Sequence, residues 1–258
     1  MNNSITGKNI LITGAGNGLG RELAINMATR AKKLFLVDLS ESALNVTLSL
    51  CPNQENIKLI QLDLTDGLLC EEQFRDLDVD IVIANAGLGG INPADSFDPK
   101  VDRKIFEVNY FGTVNSFTPF IPKMIEKKSG TIVAVASLAG LRGLPQASSY
   151  SASKSAQISL MDSFRHDLTP HGINVITILP GFIKTKMTNH QAFKMPLMVT
   201  AKKSAENVIK AIETNKKTSY FPVVLGVLSL FNKFLPTFLF VLIMRIVNPP
   251  RKQNAQIF

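Results

Sequence analysis

The chain has 258 residues, 45% apolar and 19% charged, which is enough to bury the core of one large α/β domain or two small ones. Its two cysteines and three histidines stand at no ligand spacing, so neither a disulfide framework nor a metal site is predicted. The net charge of +8 arises in residues 184–258, which hold 12 Lys and Arg against two Glu; no nucleic acid is predicted as a partner.

Short apolar runs alternate with segments of helical spacing along the chain. The runs predict buried strands at 8–13, 34–38, 57–63, 80–87, 130–137, 173–181 and 218–224. Helices are predicted at 18–30, 40–50, about 99–127, 150–168 and 201–214, the fourth with Ala152, Ala156, Ile158 and Leu160 toward the core. This alternation predicts an α/β fold with a Rossmann-like, doubly wound parallel sheet of about seven strands and helices on both faces.

A glycine-rich stretch, T-G-A-G-N-G-L-G at 13–20, follows the first predicted strand and precedes a helix. Gly14, Gly18 and Gly20 allow a tight turn and leave room for a pyrophosphate, and the loop also contains Asn17 and Leu19. Such a turn also occurs for packing reasons alone. With a carboxylate at the end of the next strand, it predicts a dinucleotide site.

That carboxylate is Asp38, which stands 18 residues after Gly20. A carboxylate at this position accepts both ribose hydroxyls of an adenosine and repels a 2′-phosphate. Neither Asn17 nor Leu39 offers a cation to offset the repulsion. We therefore predict NAD as the cofactor in preference to NADP.

A tyrosine and a lysine lie four residues apart on the predicted helix 150–168. Tyr150 and Lys154 in Y-S-A-S-K project from one helix face, and Ser137 ends the strand before them. A phenol is a poor base at neutral pH because its pKa is near ~10. An adjacent ammonium is expected to lower that pKa, so that the phenol can exchange a proton with a substrate oxygen.

With these residues in order, the chain resembles the short-chain dehydrogenase/reductase family, in its shorter, single-domain branch. The motifs are T-G-x-x-x-G-x-G at 13–20, D-L at 63–64, N-A-G at 85–87, V-N-Y at 108–110, Ser137, Y-x-x-x-K at 150–154 and P-G-x-x-x-T at 180–185. They span about two-thirds of the chain.

The resemblance implies a role for each matching position. Tyr150 would be the acid/base, Lys154 would lower its pKa and hold the nicotinamide ribose, and Ser137 would bind the substrate oxygen. Asn109 would sit at a helix break and anchor a water that leads protons from Lys154 to solvent. Further cofactor contacts would come from Asp63, Leu64, Asn85, Ala86, Gly87, Pro180, Gly181 and Thr185.

The implied reaction is hydride transfer between NAD and a secondary alcohol or ketone. The segment 186–199 would cover the substrate, and its Met187, Phe193, Met195, Leu197 and Met198 predict an apolar, lipid-, steroid- or retinoid-like molecule. Two alternatives stay open: a 3-oxoacyl thioester reductase that acts on carrier-bound substrates, and a non-catalytic NAD-binding protein. The resemblance also implies a homodimer or homotetramer.

The C-terminal part combines positive charge with two apolar runs, 218–231 and 234–244. Prolines and the pair Asn232–Lys233 interrupt them, so a membrane-spanning helix, which needs about 20 apolar residues, is not expected. Three alternatives stay open for this tail: packing on the fold, a dimer interface, or short helices lying at a membrane surface.

We predict an NAD-binding and catalytic part over residues 1–218, and a last strand with a hydrophobic, basic helical tail over 219–258 of the same domain. The N-terminus has no apolar stretch behind a basic start, so no signal peptide is predicted. The expected setting is cytoplasmic, with peripheral membrane attachment if the tail binds lipid.

Overall fold

The computed structural model describes residues 4–184, 197–247 and 255–258. The strands, in chain order, are β1 (Asn9–Thr13), β2 (Lys33–Asp38), β3 (Ile57–Gln61), β4 (Ile81–Ala84), β5 (Gly90–Ile91), β6 (Gly130–Val135), β7 (Ile173–Pro180), β8 (Ile183–Lys184), β9 (Val199–Thr200), β10 (Thr218–Phe221) and β11 (Gln256–Ile257). The helices are α1 (Gly18–Met27), α2 (Glu41–Leu50), α3 (Gly67–Phe74), α4 (Pro99–Phe106), α5 (Gly112–Phe117), α6 (Ile121–Lys127), α7 (Ser148–Leu168), α8 (Ala201–Glu213), α9 (Val223–Phe234) and α10 (Thr237–Val247).

Seven parallel strands form the central sheet in the order β10-β7-β6-β4-β1-β2-β3. The chain starts near the middle, builds outward to β3, returns to β4 beside β1 and then builds the other half. This is the predicted doubly wound, Rossmann-like sheet, and the prediction of about seven strands is confirmed.

The core lies in two layers, one on each face of the sheet. In β1, Ile10 and Ile12 contribute to one layer and Leu11 to the other, because successive side chains of a strand point to opposite faces. Strand β6 is buried at every position. Central strands covered on both faces explain why the predicted strands read as continuous apolar runs rather than as alternating ones.

Two predicted elements differ from the structure. The expected long helix over 99–127 is interrupted by a π-helical turn (Glu107–Phe111) and by a break before α6. The expected strand over 218–224 ends at Phe221, because Pro222 lacks an N–H group and helix α9 begins at the next residue.

The buried face of α7 was predicted correctly only at Ile158, which is half-buried and packs against the apolar cluster around Leu138. Ala152 is exposed, and the buried residues are mostly polar, namely Ser149, Ser151, Ser153, Lys154, Gln157, Met161 and Leu168. Apolar spacing does not identify this face because its first half packs against the polar π-helical turn rather than against an apolar layer.

The tail forms two short helices, α9 and α10, that follow directly on β10. Residues 256–257 then pair antiparallel with β5. Of the helices described, none is long and apolar enough to cross a membrane. The predicted hydrophobic helical tail is therefore present.

We expect Phe74→Ala to lower the free energy of unfolding by about 3–5 kcal/mol, because the ring is fully buried and packs 5.5 Å from the Phe120 ring centroid. Urea unfolding measures the change. Phe97→Ala is the matched control, since Phe97 is exposed, and should cost less than half as much. Equal losses would contradict the assignment of Phe74 to the core.

Candidate active site

The predicted site residues follow adjacent strands at one edge of the sheet. In sheet order, these are Pro180 at the end of β7 with Gly181 after it, Ser137 after β6, Asn85–Gly87 after β4, the glycine loop after β1, Asp38 at the end of β2, and Asp63 and Leu64 after β3. Parallel strands bring their carboxyl ends to a common edge, which is where open α/β sheets bind ligands. The structure therefore gathers these predicted residues, far apart in sequence, along one line.

The glycine loop makes a close turn between β1 and α1. Gly14 has φ +64, and a methyl group added to it would lie 2.8 Å from the Ala86 Cα atom. A methyl group on Gly20 would lie 2.1 Å from the Gly14 carbonyl oxygen. Asn17 is the N-cap residue of α1, whose helix begins at Gly18, whereas the Leu19 side chain is buried in a core layer. The loop thus keeps side chains away from the N–H groups at the start of α1.

Asp38 is fixed beside this loop by two backbone donors. The N–H groups of Gly16 and Ser40 donate to its two carboxylate oxygens over 2.8 and 3.1 Å. Each oxygen retains a lone pair for another donor. The carboxylate therefore lies next to the glycine loop in the position that the sequence predicted.

Arg21 is a cation near this site that was not predicted from the sequence. Its guanidinium donates to the Gly16 carbonyl, to the Thr47 hydroxyl over 3.1 Å and to the Asn17 side-chain oxygen over 3.4 Å. The residue lies one turn into α1, so only the folded loop brings it to Gly16. Arg21 supports the backbone that presents Asp38.

Asp63 lies beyond the end of β3 and is held by Thr65. The Thr65 N–H and hydroxyl donate to one Asp63 oxygen over 2.9 and 2.8 Å. Burial raises the pKa of this carboxyl, but these two hydrogen bonds and Lys104 outweigh it and the pKa is lowered. Asp63 is therefore a charged acceptor, while the neighbouring Leu64 is buried in the core.

The segment Asn85–Gly87 is fastened to the glycine loop. The Thr13 hydroxyl accepts from the N–H groups of Asn85 and Ala86 over 3.1 and 3.2 Å. The Asn85 amide donates to the Thr13 and Gly14 carbonyls over 3.0 and 3.2 Å. These bonds join the ends of β1 and β4, where the winding of the sheet reverses.

Tyr150, Ser137 and Lys154 converge beside the end of β6. The side chains of Tyr150 and Ser137 are hydrogen-bonded to each other. The Lys154 ammonium lies 5.8 Å from the centroid of the Tyr150 ring and donates to the Val135 carbonyl over 2.9 Å. The structure therefore brings together three of the four residues that were predicted to be catalytic.

Burial decides the charge state of two of these groups. It raises the pKa of the Tyr150 phenol, which the hydrogen bond with Ser137 only partly offsets. It also lowers the pKa of Lys154 to about 7. Both shifts favour uncharged forms. The ammonium was expected to lower the pKa of the phenol, but burial dominates instead.

Asn109, the fourth residue, lies in the π-helical turn and is fully buried. Its side chain donates to Ser153 over 3.0 Å and bonds both backbone groups of Leu88 over 2.7 and 3.0 Å. Its backbone carbonyl accepts hydrogen bonds from the Gln157 side-chain amide over 2.8 Å and from the Thr113 hydroxyl over 2.7 Å. The helix break is present, and the proton relay through a water stays a prediction. The contribution of Gln157 was not predicted.

The turn after β7 lies next to α9. The Gly181 N–H donates to the Phe221 carbonyl over 2.8 Å, and a methyl group on Gly181 would lie 2.6 Å from a Leu225 methyl group. The Pro180 carbonyl lies 3.5 Å from the Ser137 hydroxyl. Thr185 and residues 186–196 of the predicted covering segment lie outside the described residues, while Leu197 and Met198 are exposed.

The edge fits a dinucleotide. Gly14 and Gly20 allow a close backbone turn in which added methyl groups would overlap Ala86 and the Gly14 carbonyl, and Asp38 lies at one end of this glycine loop. At the other end, the Lys154 ammonium lies close to Gly87: a methyl group added to Gly87 would be 3.5 Å from the Lys154 Nζ atom. The described residues contain no cluster of acidic, His and Cys side chains that could hold a metal ion.

Comparison with known proteins agrees with this geometry. A family model of short chain dehydrogenases matches residues 8–196. An uncharacterized oxidoreductase of Myxococcus xanthus (strain DK1622) is 35% identical over 243 residues, which cover 89% of this chain and 93% of that protein. The 17-beta-hydroxysteroid dehydrogenase 13 of Homo sapiens is 30% identical over 246 residues, covering 90% and 81%.

A solved structure gives the same result. The short chain dehydrogenase of Burkholderia cenocepacia J2315, determined in complex with NADP, matches with a TM-score of 0.77 at 28% identity. The match covers 88% of this chain and 92% of that one.

The low pKa of Lys154 predicts a pH-dependent contribution to stability. A lysine in the unfolded chain has a pKa near ~10.4, so between about pH 7 and that value the unfolded state binds the extra proton and stability rises with pH. Urea unfolding at about pH 7 and about pH 9.5 should show the wild type gaining of the order of 3 kcal/mol relative to Lys154→Met. Equal pH dependence in both proteins would contradict the buried, low-pKa assignment.

Proposed function

The chain belongs to the short chain dehydrogenase family, and from that premise we propose that it is an NAD-dependent oxidoreductase that interconverts a secondary alcohol and a ketone on an apolar substrate. One observation carries the proposal. The side chains of Tyr150 and Ser137 are hydrogen-bonded beside Lys154, at the sheet edge that also holds the glycine loop.

The nicotinamide ring, when bound, supplies or accepts the hydride at the substrate carbon. Ser137 would donate a hydrogen bond to the substrate oxygen and hold it near Tyr150. In the direction of ketone reduction, Tyr150 would give its phenol proton to that oxygen. Because burial raises the pKa of the phenol, Tyr150 is protonated before the transfer.

Lys154 would act on both the cofactor and the phenol. Its ammonium extends to the end of β6, between Tyr150 and Gly87, and would bind the nicotinamide ribose there. A pKa of about 7 allows it to take up or lose a proton near neutral pH. It is therefore suited to replenish the proton that the phenol gives away.

NAD is the proposed cofactor because of Asp38. Its carboxylate would accept the ribose hydroxyls and repel a 2′-phosphate. Members of the family bind either dinucleotide, as the NADP complex from Burkholderia cenocepacia illustrates, so the preference rests on this chain's own residues. Arg21 binds Gly16, Asn17 and Thr47 and so supports the loop that positions Asp38.

An apolar substrate is proposed because of the groove beside the site. A cavity of about 520 Å³ lies between α10, with Phe240, Val241 and Met244, and the loop 143–146 that leads to Tyr150. Its lining is mostly apolar, with Asp95 and Arg245 as the charged members, and a mostly apolar lining favours an apolar molecule. The named activity of the human relative, on a hydroxysteroid, is consistent with a substrate of this class.

A homodimer or homotetramer is the proposed assembly. Along α7, the exposed positions Ala152, Ser155 and Ser159 are small and lie on one helix face. Small side chains allow two helices to approach closely, so this face suits contact between two copies of the chain. Residues 1–218 and 219–258 are proposed to act as one domain within each copy.

We expect Tyr150→Phe to lower kcat by at least about 100-fold, because the lost hydroxyl transfers a proton. The dissociation constant for NADH should change by less than about twofold, since the phenol is expected to transfer a proton and not to bind the cofactor. Fluorescence titration and steady-state kinetics measure the two quantities. Tyr110→Phe, which removes a phenol elsewhere, is the matched control and should retain activity.

Retention of about a tenth of the wild-type kcat by Tyr150→Phe would refute the acid/base assignment. The substrate panel for the wild type contains a hydroxysteroid, a retinoid, a long-chain secondary alcohol and a 3-oxoacyl thioester. Preference for the thioester would replace the proposed substrate class. NADH binding without turnover of any panel member would support a non-catalytic binder instead.

Cofactor preference should depend on Asp38. In the double variant Asp38→Ala/Leu39→Arg, the repulsion is removed and a cation is supplied, so the ratio of kcat/KM for NADP over NAD should rise by at least about tenfold. Leu39→Arg alone is the control for the added charge and should shift the ratio less. A wild-type protein that already prefers NADPH would refute the role assigned to Asp38.

A further inference from the structure

The helices α9 and α10 turn an apolar face outward. Large exposed side chains recur at helical spacing: Val224, Leu228 and Phe231 in α9, and Phe238, Leu242 and Ile246 in α10. Phe231, Phe234 and Phe238, around the connection between the helices, are 76%, 82% and 75% exposed. A helix that packs on a protein core normally places its apolar stripe inward and its polar residues outward, whereas the outward face of these two helices is apolar as well.

The inner side of α9 is nevertheless fixed to the protein. Leu225 belongs to an apolar cluster with Tyr220 and Leu179, and a methyl group on Gly226 would lie 2.1 Å from the Tyr220 ring. The helix therefore packs against β10 without a gap. The inner face of α9 is thus held against the protein, and the outer apolar face of the same helix remains exposed.

Arg142 fixes the connection between α9 and α10. Its guanidinium donates to the Asn232 carbonyl, and to the Leu235 carbonyl over 2.6 Å. The same group lies 4.0 Å from the centroid of the Phe240 ring. One side chain from the loop before α7 thus holds both helices, which we call the C-terminal hairpin (residues 223–247).

All the charged side chains of residues 219–258 are cationic. Lys233 and Arg245 are exposed on the C-terminal hairpin, and the sequence adds Arg251 and Lys252. No acidic residue occurs anywhere in 219–258. An apolar face accompanied only by cations matches an anionic lipid surface, where apolar side chains enter the acyl region and cations remain among the headgroups.

We propose that the outer face of the C-terminal hairpin docks on an anionic phospholipid surface. The two helices, of 12 and 11 residues, are too short to cross a bilayer but suit helices that lie in its interface. A second copy of the chain fits less well, because a two-fold contact between hairpins would place cations opposite cations, and the hairpin sequence contains no acidic residue to pair with them.

Docking in this way would present the candidate active site to the lipid. The C-terminal hairpin follows β10, which lies beside β7 and ends at the same sheet edge as the site residues. Phe240, Val241 and Met244 of α10 form one wall of the groove next to the loop 143–146. The surface for lipid and the groove for an apolar molecule are therefore neighbours.

The test is flotation of the full-length protein with vesicles of phosphatidylcholine alone or with phosphatidylserine. The wild type should float with the anionic vesicles, and binding should fall as NaCl rises from about 0.05 M to about 0.5 M. Replacing Phe231, Phe234 and Phe238 together by Ser should weaken binding at least about tenfold. Lys233→Gln/Arg245→Gln should weaken it about fivefold per charge removed.

Leu68→Ser is the matched control, because Leu68 is equally exposed but lies on α3, and it should leave vesicle binding unchanged. Circular dichroism melting and turnover of a water-soluble ketone establish that the triple serine variant is folded. None of its three positions belongs to the candidate active site, so both should match the wild type. Lipid binding can therefore be lost while the proposed function is retained.

Two results would overturn the proposal. Wild-type protein that stays unbound at low salt, or that binds neutral and anionic vesicles equally, would exclude an anionic lipid surface as the partner. A wild type that binds no vesicles, with a molar mass by light scattering that halves in the triple serine variant, would identify the hairpin as an interface between copies of the chain.

Discussion

Parallel pairing of the strands is the constraint on which the whole site depends. Because every strand of the main sheet runs in the same direction, the segments after β7, β6, β4, β1, β2 and β3 must all emerge at one edge. Each of those segments carries residues that the motifs single out. The twelve residues between Ser137 and Tyr150 let α7 fold back so that its phenol meets the serine hydroxyl at that edge. A single antiparallel strand in the middle of the sheet would remove one group of these residues from the site.

Local pattern was enough to predict the fold and the positions of most site residues. The glycine loop, Asp38 and the pair Tyr150/Lys154 are recognisable because each depends on a short spacing and on one neighbouring element. Arg21, Gln157 and Arg142 could not be identified in this way, since their partners lie elsewhere in the folded chain or depend on the exact path of a loop. Their side chains bind backbone carbonyls, and any residue type supplies such carbonyls.

The buried face of α7 shows why apolar periodicity fails at a functional site. The prediction placed Ala152, Ala156, Ile158 and Leu160 inward. Most of the buried residues are instead polar, with three serines, Lys154 and Gln157 beside Met161 and Leu168. These polar side chains form hydrogen bonds with the π-helical turn and with the end of β6, and these bonds hold the elements together. The same burial moves the pKa values of Tyr150 and Lys154 in opposite directions. Packing and proton chemistry are therefore inseparable in this helix.

Arg142 joins two parts of the chain that would otherwise be independent. It comes from the loop that precedes Tyr150, yet it donates hydrogen bonds to the Asn232 and Leu235 carbonyls near the end of α9 and contacts the Phe240 ring in α10. The consequence concerns exchange of parts between relatives. A foreign tail grafted after β10 would need carbonyls and an aromatic ring in the same places, or else a matching change at position 142. The tail thus depends on one loop residue some ninety positions earlier, and the two should be transplanted as a pair.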